Sequence, residues 1–309
     1  MKEFFSKYVT LRKHNAQVAW KKAKKSKMCY AFLAPYAILF TLFYVVPVVI
    51  SIFYSFTYYN ILEKPRFIGL ANYISLILED DIFLIGIKNT LMIAIITGPL
   101  GYIMSFLFAW LINELPRWVR SIAVIVFYAP SIAGNCYVIF SVFFRGDAYG
   151  YVNAFLMNLG IIDAPIAWLE SAWIARIVII IAMTWRWTGY NTIFYLAGLQ
   201  NIDDTIYEAA RIDGANIFQQ FRKITIPMLR PIILLTTITS INGTLQLFAE
   251  TQNITSGGPG NATITLSNYI YKLSFTYVPQ FGYASTIAFI VLIMVAVLAF
   301  IQMKLGDTR

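Results

Sequence analysis

The chain has 309 residues, of which 59% are hydrophobic and only 13% are charged, and its formal net charge is +9. Soluble domains have about a quarter of their residues charged, so this composition excludes a large soluble domain and favours a protein of the bilayer. The two cysteines, Cys29 and Cys136, lie in apolar sequence and predict neither a disulfide framework nor a metal site. A single histidine, His14, gives no support to histidine catalysis.

Basic residues dominate the start of the chain, where nine of the first 27 residues are Lys or Arg. We expect residues 1–27 to form a basic cytoplasmic arm, which is either an interfacial helix or a solvated polybasic tail. Residues 28–62 then carry no charge. This stretch is longer than the apolar core of a signal peptide, about 7–15 residues, and therefore predicts a retained first membrane span.

Five further stretches provide the roughly 20 mostly apolar residues that a spanning helix needs. The fourth span of the chain is interrupted by Arg176 and Arg186 but is otherwise apolar. We therefore predict an all-α membrane protein whose residues 28–309 form one domain of six transmembrane helices. The predicted spans after the first cover residues 89–113, 121–144, 173–199, 231–249 and 278–303.

The distribution of Lys and Arg predicts the orientation of these spans. The segments on the side of the N-terminus contain 17 Lys and Arg residues, whereas those on the other side contain 5. Because positive loops stay in the cytoplasm, we expect both termini to be cytoplasmic in a multi-pass protein of the bacterial plasma membrane. The loop at residues 200–230 lies on the same cytoplasmic side.

The loop at residues 200–230 is an island of charge between two apolar spans. Asp203 or Asp204 is a candidate helix N-cap, and Gly214 is placed where a left-handed residue ends a helix. Ile217, Phe218, Phe221 and Ile224 follow at helical spacing, and Pro227 is predicted to end this second helix. An ordinary amphipathic connector would share these features.

A longer pattern in this loop, EAAxxDGAxxxxxFxxxxxP, specifies eight positions at fixed spacing. The pattern resembles the cytoplasmic coupling loop of membrane subunits of binding-protein-dependent ABC importers. Segments such as "FIGLANY", "LAGLQNI", "TSGGPGNATITLSNYIY" and "FGYASTIAF" are similar to the carbohydrate branch of that family, on the larger-subunit side. The maltose importer subunit of that branch has additional N-terminal spans and an external domain, whereas we expect this chain to resemble the six-span core alone. The residues that match the loop pattern are Glu208, Ala209, Ala210, Asp213, Gly214, Ala215, Phe221 and Pro227.

The resemblance implies a type I importer permease fold with a coupling helix between spans four and five. It implies that the matched loop residues contact a cytoplasmic ATPase, present in two copies, and that a second permease subunit completes the pathway. It also implies an extracytoplasmic solute-binding protein and a sugar or oligosaccharide cargo. ATP and Mg²⁺ would then belong to the ATPase subunits, so this chain is not itself an enzyme and needs no cofactor. We expect membrane lipid around the helices and no nucleic-acid partner.

Polar residues inside the predicted spans are candidates for the substrate pathway, because polar groups in a bilayer usually face a cavity or the bundle interior. In span five they recur on one helical face at spacings of three and four. Hydrogen bonding between helices is the alternative explanation, and Arg186 has the further alternative of pairing with a carboxylate. The candidates are Asn135, Arg186, Tyr190, Asn191, Thr239, Asn242, Gln246 and Glu250.

Three other classes of protein are disfavoured by the sequence. The phosphate-binding pattern GxxxxGK[ST] does not occur, which argues against a nucleotide enzyme. Neither HExxH nor GxSxG accompanies the spans, which argues against an intramembrane hydrolase. A self-sufficient secondary transporter remains the alternative function, although the sequence shows no clear internal repeat and few intramembrane acids.

Overall fold

The computed structural model describes residues 26–133 and 136–306. Residues 1–25, most of the predicted basic arm, lie outside the described residues, as does Asn135. The chain divides into two compact units, Met1–Phe53 and Tyr54–Arg309.

Helices dominate the described residues, as the composition predicts. Long apolar segments favour helices in a membrane, because a helix satisfies most of its polar backbone groups within the segment itself. In chain order the helices are α1 (Lys27–Phe40), α2 (Val46–Ser55), α3 (Ala71–Leu78), α4 (Asp81–Asn113), α5 (Arg117–Ile132), α6 (Val138–Phe143), α7 (Tyr151–Asn158), α8 (Ala172–Gln200), α9 (Asp204–Ile212), α10 (Ile217–Gln220), α11 (Ile226–Leu245), α12 (Ala249–Ile254), α13 (Leu266–Tyr271) and α14 (Phe281–Gly306). One short antiparallel pair, β1 (Thr57–Tyr58) and β2 (Arg66–Phe67), forms a hairpin after α2.

Within the described residues, four helical stretches are long and apolar enough to cross a membrane. They are Met28–Ser55, Asp81–Asn113, Ile217–Leu245 and Phe281–Lys304. The other two predicted spans are not among these four stretches. The predicted span at residues 121–144 is divided into α5 and α6, and the predicted span at residues 173–199 is α8, a continuous helix of 29 residues.

Two helix boundaries correct the sequence-based predictions. The first span ends at Ser55, and the residues up to 62, predicted to be helical, belong to the β-hairpin region instead. Pro227 does not end a helix: π-helical turns at Phe221–Thr225 run directly into α11, and Pro227 lies in its first turn. Because proline cannot donate a backbone hydrogen bond to the preceding turn, the helix is continuous through Pro227 with one hydrogen bond fewer.

Helix α4 runs through the centre of the second unit and carries contacts near both ends. The Asn89 side chain donates to the carbonyl oxygens of Asn261 and Ile264, at 3.3 and 3.0 Å. Seventeen residues later, the Phe106 ring packs on Phe221, with ring centroids 5.0 Å apart. Pro99 lies between these two contacts, inside the helix.

Close helix packing is achieved with glycine on α8. A Cβ atom at Gly189 would collide with the carbonyl oxygen of Phe127 on α5. A Cβ atom at Gly243 on α11 would likewise collide with the Trp187 ring of α8. Small residues of this kind let helix backbones approach closely within a membrane. Helices α5 and α11 therefore both pack closely against α8.

Candidate functional site

Helix α9, the first half of the polar loop, begins at a capped end. The Asp203 carboxylate accepts a hydrogen bond from the Thr205 backbone N–H at 3.0 Å, as predicted for a helix N-cap. Hydrogen bonds from the Thr205 backbone and side chain lower the pKa of Asp203. Asp204 follows in the first turn and Arg211 lies in the last turn, so both charges complement the helix dipole.

The bend after α9 is built around Gly214, whose φ of +79° is in the left-handed region. The Ala215 N–H donates to the Ala210 carbonyl at 2.9 Å, and the Gly214 N–H donates to the Arg211 carbonyl at 3.0 Å. This pair of bonds is a Schellman motif, which ends a helix on a left-handed residue. The predicted role of Gly214 in the bend is therefore what the structure shows.

Helix α10 starts at once with a second cap. Asn216 and Gln219 exchange two hydrogen bonds of 2.9 Å in a capping box, a local arrangement that satisfies two otherwise free N–H groups. The Gln220 amide also donates to the Ala215 carbonyl at 2.8 Å. Both helices of the loop are thus closed by short-range hydrogen bonds, and the loop has a defined shape without a partner.

Two contacts join this loop to the transmembrane helices. The Tyr207 hydroxyl lies 2.8 Å from the Thr225 hydroxyl at the start of the long helix that contains α11. Phe221 packs on Phe106 of α4. The loop is therefore connected to two separate helices of the bundle.

The outer surface of the loop combines acidic, small and apolar side chains. Glu208, Ala209, Asp213 and Gly214 are exposed, whereas Ala210, Ala215 and Phe221 are half-buried and Pro227 is exposed at the base. Ile212 is 87% exposed, Ile217 is 73% exposed and Phe218 is 68% exposed. The helical spacing predicts that Ile217 and Phe218 share one face with Phe221 and Ile224. The structure separates them: the first pair is exposed, and the second pair is turned toward the bundle.

Ile212 was missed as a candidate residue because it occupies an unspecified position of the matched pattern, between Ala210 and Asp213. Ile212 and Phe218 are exposed apolar residues of the same loop in which the carboxylates of Glu208 and Asp213 are exposed. An exposed apolar group rimmed by charge is typical of a protein interface.

A second candidate site lies at the middle of α8, where Arg186 is the fifteenth of its 29 residues. One guanidinium nitrogen, Nη1, donates to the Tyr137 hydroxyl at 2.6 Å and to Glu250 Oε1 at 3.0 Å. The Tyr137 hydroxyl donates to the same carboxylate oxygen at 2.6 Å. Glu250 and Tyr137 are both buried. We call these three residues the charged triad.

The charged triad lies where two other helices are interrupted. Tyr137 is in the turn between α5 and α6, and Glu250 is in α12, after α11 has ended at Leu245. The predicted continuous face from Thr239 to Glu250 is therefore wrong at its last member, because the helical register is lost at Gln246. Of the alternatives for Arg186, pairing with a carboxylate is the one that the structure shows.

The remaining pathway candidates differ in their contacts. The Asn191 amide donates to the Ser240 hydroxyl of α11 at 3.1 Å, so this residue joins two helices. Tyr190 is half-buried and its ring contacts Trp187 and Phe194, with centroids 5.6 and 5.2 Å away. Thr239 bonds back to carbonyl oxygens of its own helix. Asn242 is half-buried and Gln246 is exposed.

Helix α8 also carries buried polar atoms that lack a hydrogen-bond partner among the described residues. They are the hydroxyls of Thr184 and Thr188, the Trp187 indole N–H and the Asn191 side-chain oxygen. Their positions follow a spacing of three, one and three, which places them on one helical face. Buried polar groups normally have partners, so this face of α8 is suited to water or a polar ligand.

An open cavity of about 760 Å³ lies at the other end of α4, where sequence analysis placed no site. The Asp80 carboxylate accepts hydrogen bonds from the Tyr269 and Tyr283 hydroxyls, both at 2.8 Å, and also caps α4 at Phe83. Burial, followed by the hydrogen bond to Asp80, raises the pKa of Tyr269. Tyrosines far apart in sequence thus tie α13 and α14 to the start of α4.

Comparison with known proteins identifies the class. Residues 97–307 match the family described as the inner membrane component of binding-protein-dependent transport systems. The chain belongs to this family, as the coupling-loop pattern predicted, and it is a membrane permease subunit.

Individual relatives span nearly the whole chain. The lactose transport system permease protein LacF of Rhizobium radiobacter is 42% identical over 91% of this chain and 94% of its own length. The arabinooligosaccharides transport system permease protein AraP of Bacillus subtilis is 31% identical over 94% of this chain and 93% of its own.

A solved structure has the same fold. It is a chain of a bacterial ABC transporter involved in the import of the acidic polysaccharide alginate, with a TM-score of 0.81 at 24% identity. The likeness covers 94% of this chain and 99% of that chain. The predicted type I importer permease architecture is confirmed at the level of the fold.

Proposed function

We propose that this chain is a six-span permease subunit that imports a saccharide with energy from a separate ATPase. Its partners are a second permease subunit, two copies of the ATPase and an extracytoplasmic binding protein. The proposed cargo is a sugar or short oligosaccharide, because the named relatives transport lactose and arabinooligosaccharides. ATP and Mg²⁺ bind to the ATPase subunits, which hydrolyse the ATP.

Six spans are consistent with the helix lengths. Helix α8 has 29 residues, which corresponds to about 43 Å at 1.5 Å per residue and exceeds the roughly 30 Å of a bilayer core. Helices α5 and α6 together supply the remaining crossing. The proposed orientation places both termini and the loop at residues 200–230 in the cytoplasm.

The observation that carries this proposal is the loop from Asp203 to Thr225. It has capped helices, and it presents Glu208, Asp213, Ile212 and Phe218 outward. Its Tyr207 hydroxyl is hydrogen-bonded to Thr225, whose helical turn runs directly into α11, and its Phe221 ring packs on α4. An outer surface that is fixed to two bundle helices transmits the movement of a bound partner into the bundle. We propose that the eight matched residues make this contact or shape it.

The proposed substrate route passes the middle of α8, near Arg186, Tyr190 and Asn191, and runs along Thr239, Asn242 and Gln246. Interrupted helices near the bilayer midplane are typical of transport sites, and the charged triad lies at two such interruptions. Asn135 belongs to this proposal from its sequence position.

The test is an assembly and uptake experiment with matched charge reversals. Glu208→Lys should insert normally but capture less ATPase in a pull-down and lower the ATP-driven uptake of lactose or arabinooligosaccharides. Glu63→Lys is the control, since Glu63 is equally exposed but lies in the predicted external hairpin. Uptake that continues without the ATPase would overturn the proposal in favour of a secondary transporter. Equal ATPase capture by both variants would remove the coupling surface from it.

A further inference from the structure

The charged triad is asymmetric in its exposure. The Arg186 side chain is 34% exposed, whereas the Glu250 side chain is only 6% exposed. Of the guanidinium nitrogens, Nη1 is the one that contacts both Tyr137 and Glu250. The carboxylate is therefore buried while the guanidinium is partly exposed, and Nε and Nη2 of Arg186 have no hydrogen-bond partner among residues 26–133 and 136–306.

The carboxylate also removes the net charge of this donor group. Arg186 and Glu250 are in direct contact at 3.0 Å, and a neutral tyrosine hydroxyl completes the set. A saccharide hydroxyl or ring oxygen can accept a hydrogen bond from the free guanidinium N–H groups without disturbing the pair. A carboxylate on the cargo gains little from a guanidinium whose charge is already compensated, yet it must shed its own hydration, which is costly away from water.

We propose that Glu250 determines the charge class of the cargo: by neutralising Arg186 it makes the passage selective for neutral saccharides over acidic ones. This inference rests on the proposed function. Glu250 does not itself contact the cargo. It determines specificity through its effect on Arg186.

The other basic residue of α8, Arg176, is kept apart from this set. It lies ten residues earlier, about 15 Å along the helix, and its Nε donates to the Ala262 carbonyl at 2.8 Å. An Arg176→Gln variant removes a positive charge from the same helix without touching the triad. It therefore serves as a control for general effects of charge.

The experiment measures saccharide binding to the purified complex of both permeases with the ATPase, in nanodiscs and without the binding protein, so that selection by that protein does not enter. The two probes are the better-transported sugar of lactose and arabinotriose, and its derivative carrying one uronate. We expect wild type to prefer the neutral probe. Glu250→Gln keeps an acceptor for Tyr137 but exposes the charge of Arg186. It should bind the uronate more tightly, on the order of tenfold, as expected for one charge-assisted hydrogen bond.

The double variant Arg186→Gln with Glu250→Gln restores a neutral triad and should lose the gain, and Arg176→Gln should show wild-type preference. Equal binding of both probes by wild type overturns the inference without any variant. So does an unchanged preference in Glu250→Gln that retains wild-type thermal stability. If neither probe binds and no panel sugar is taken up by the complete wild-type transporter, the proposed function fails instead.

Discussion

The hydroxyl of Tyr207 lies 2.8 Å from the hydroxyl of Thr225 and joins α9 to the helix that contains α11 across 18 residues of sequence. Thr225 is buried and Tyr207 is half-buried. This hydrogen bond is a direct link between the exposed loop and a predicted membrane span.

Tyr207→Phe should therefore weaken coupling while the protein still inserts and assembles. A buried hydrogen bond contributes about 0.5–1.5 kcal/mol net, so we expect uptake per ATP hydrolysed to fall roughly 2- to 10-fold. Tyr149→Phe, at a side chain that is 88% exposed, is the matched control. A wild-type transport ratio for Tyr207→Phe would show that the link is dispensable.

The bend at Gly214 should be sensitive to backbone strain and insensitive to side-chain volume. A Cβ at Gly214 would have nothing within 4 Å, but its φ is +79°. A left-handed conformation costs a non-glycine residue roughly 1–2 kcal/mol, and less for Asn. Gly214→Val should expose the loop to protease and reduce ATPase capture, whereas Gly214→Asn should be mild.

Gly160 offers the comparison for this strain, because its φ is +68° and its surroundings are equally open. Gly160→Val should introduce similar strain after α7 and leave ATPase capture unchanged. If Gly160→Val reduces capture as much as Gly214→Val does, general destabilisation explains both variants.

The cap of α9 should depend on pH because hydrogen bonds hold the pKa of Asp203 below its ordinary value. A lowered folded-state pKa stabilises the helix above the unfolded pKa of about 3.9, and this stabilisation is lost as the pH falls through the folded value. Protease protection of α9 in wild type should hold at pH 7 and fall in that acidic range. Asp203→Asn, which caps without a charge, should show a flatter profile, and Asp203→Ala should be less protected throughout.

The orientation can be tested by labelling introduced cysteines in a Cys29→Ser, Cys136→Ser background. Leu62 and Phe218 are both well exposed, and the excess of Lys and Arg places them on opposite sides of the membrane. In sealed cells an impermeant thiol reagent should modify Leu62→Cys and leave Phe218→Cys unmodified until the cells are opened. Modification of Phe218→Cys in sealed cells would show that this loop is outside the cell and would contradict the proposed orientation.

The route along α11 predicts different outcomes for Asn242 and for Asn191. The Asn191 side chain of α8 is hydrogen-bonded to Ser240 of α11. Asn191→Ala should therefore lower the thermal stability of the protein and reduce the uptake of every sugar alike. Asn242→Ala and Gln246→Ala should lower uptake or change the sugar preference by roughly 2- to 10-fold, equivalent to one net hydrogen bond, with assembly intact. Lost stability with unchanged uptake kinetics in the latter pair would assign them to helix packing.

Local chemistry made the loop at residues 200–230 predictable. Caps and a left-handed glycine act over four to six residues, so Asp203 and Gly214 could be placed from sequence. Glu250 could not be placed in the same way, because its partners Tyr137 and Arg186 are 113 and 64 residues away. Extending a helical period through Gln246 was wrong since periodicity does not reveal where tertiary contacts, such as the Thr265 bond to the Leu247 carbonyl, end a helix.

Pro99 makes α4 easier to bend than its continuous length suggests. Asn89 and Phe106 are about 26 Å apart along the helix at 1.5 Å per residue, and Pro99 removes one backbone hydrogen bond between them. The contact with Phe221 and the contact with Asn261 are therefore joined by a helix that can bend at Pro99. We expect bending at Pro99 to let the two ends of α4 turn by different angles, so that a movement of the loop against Phe106 tilts the end of α4 that carries Asn89.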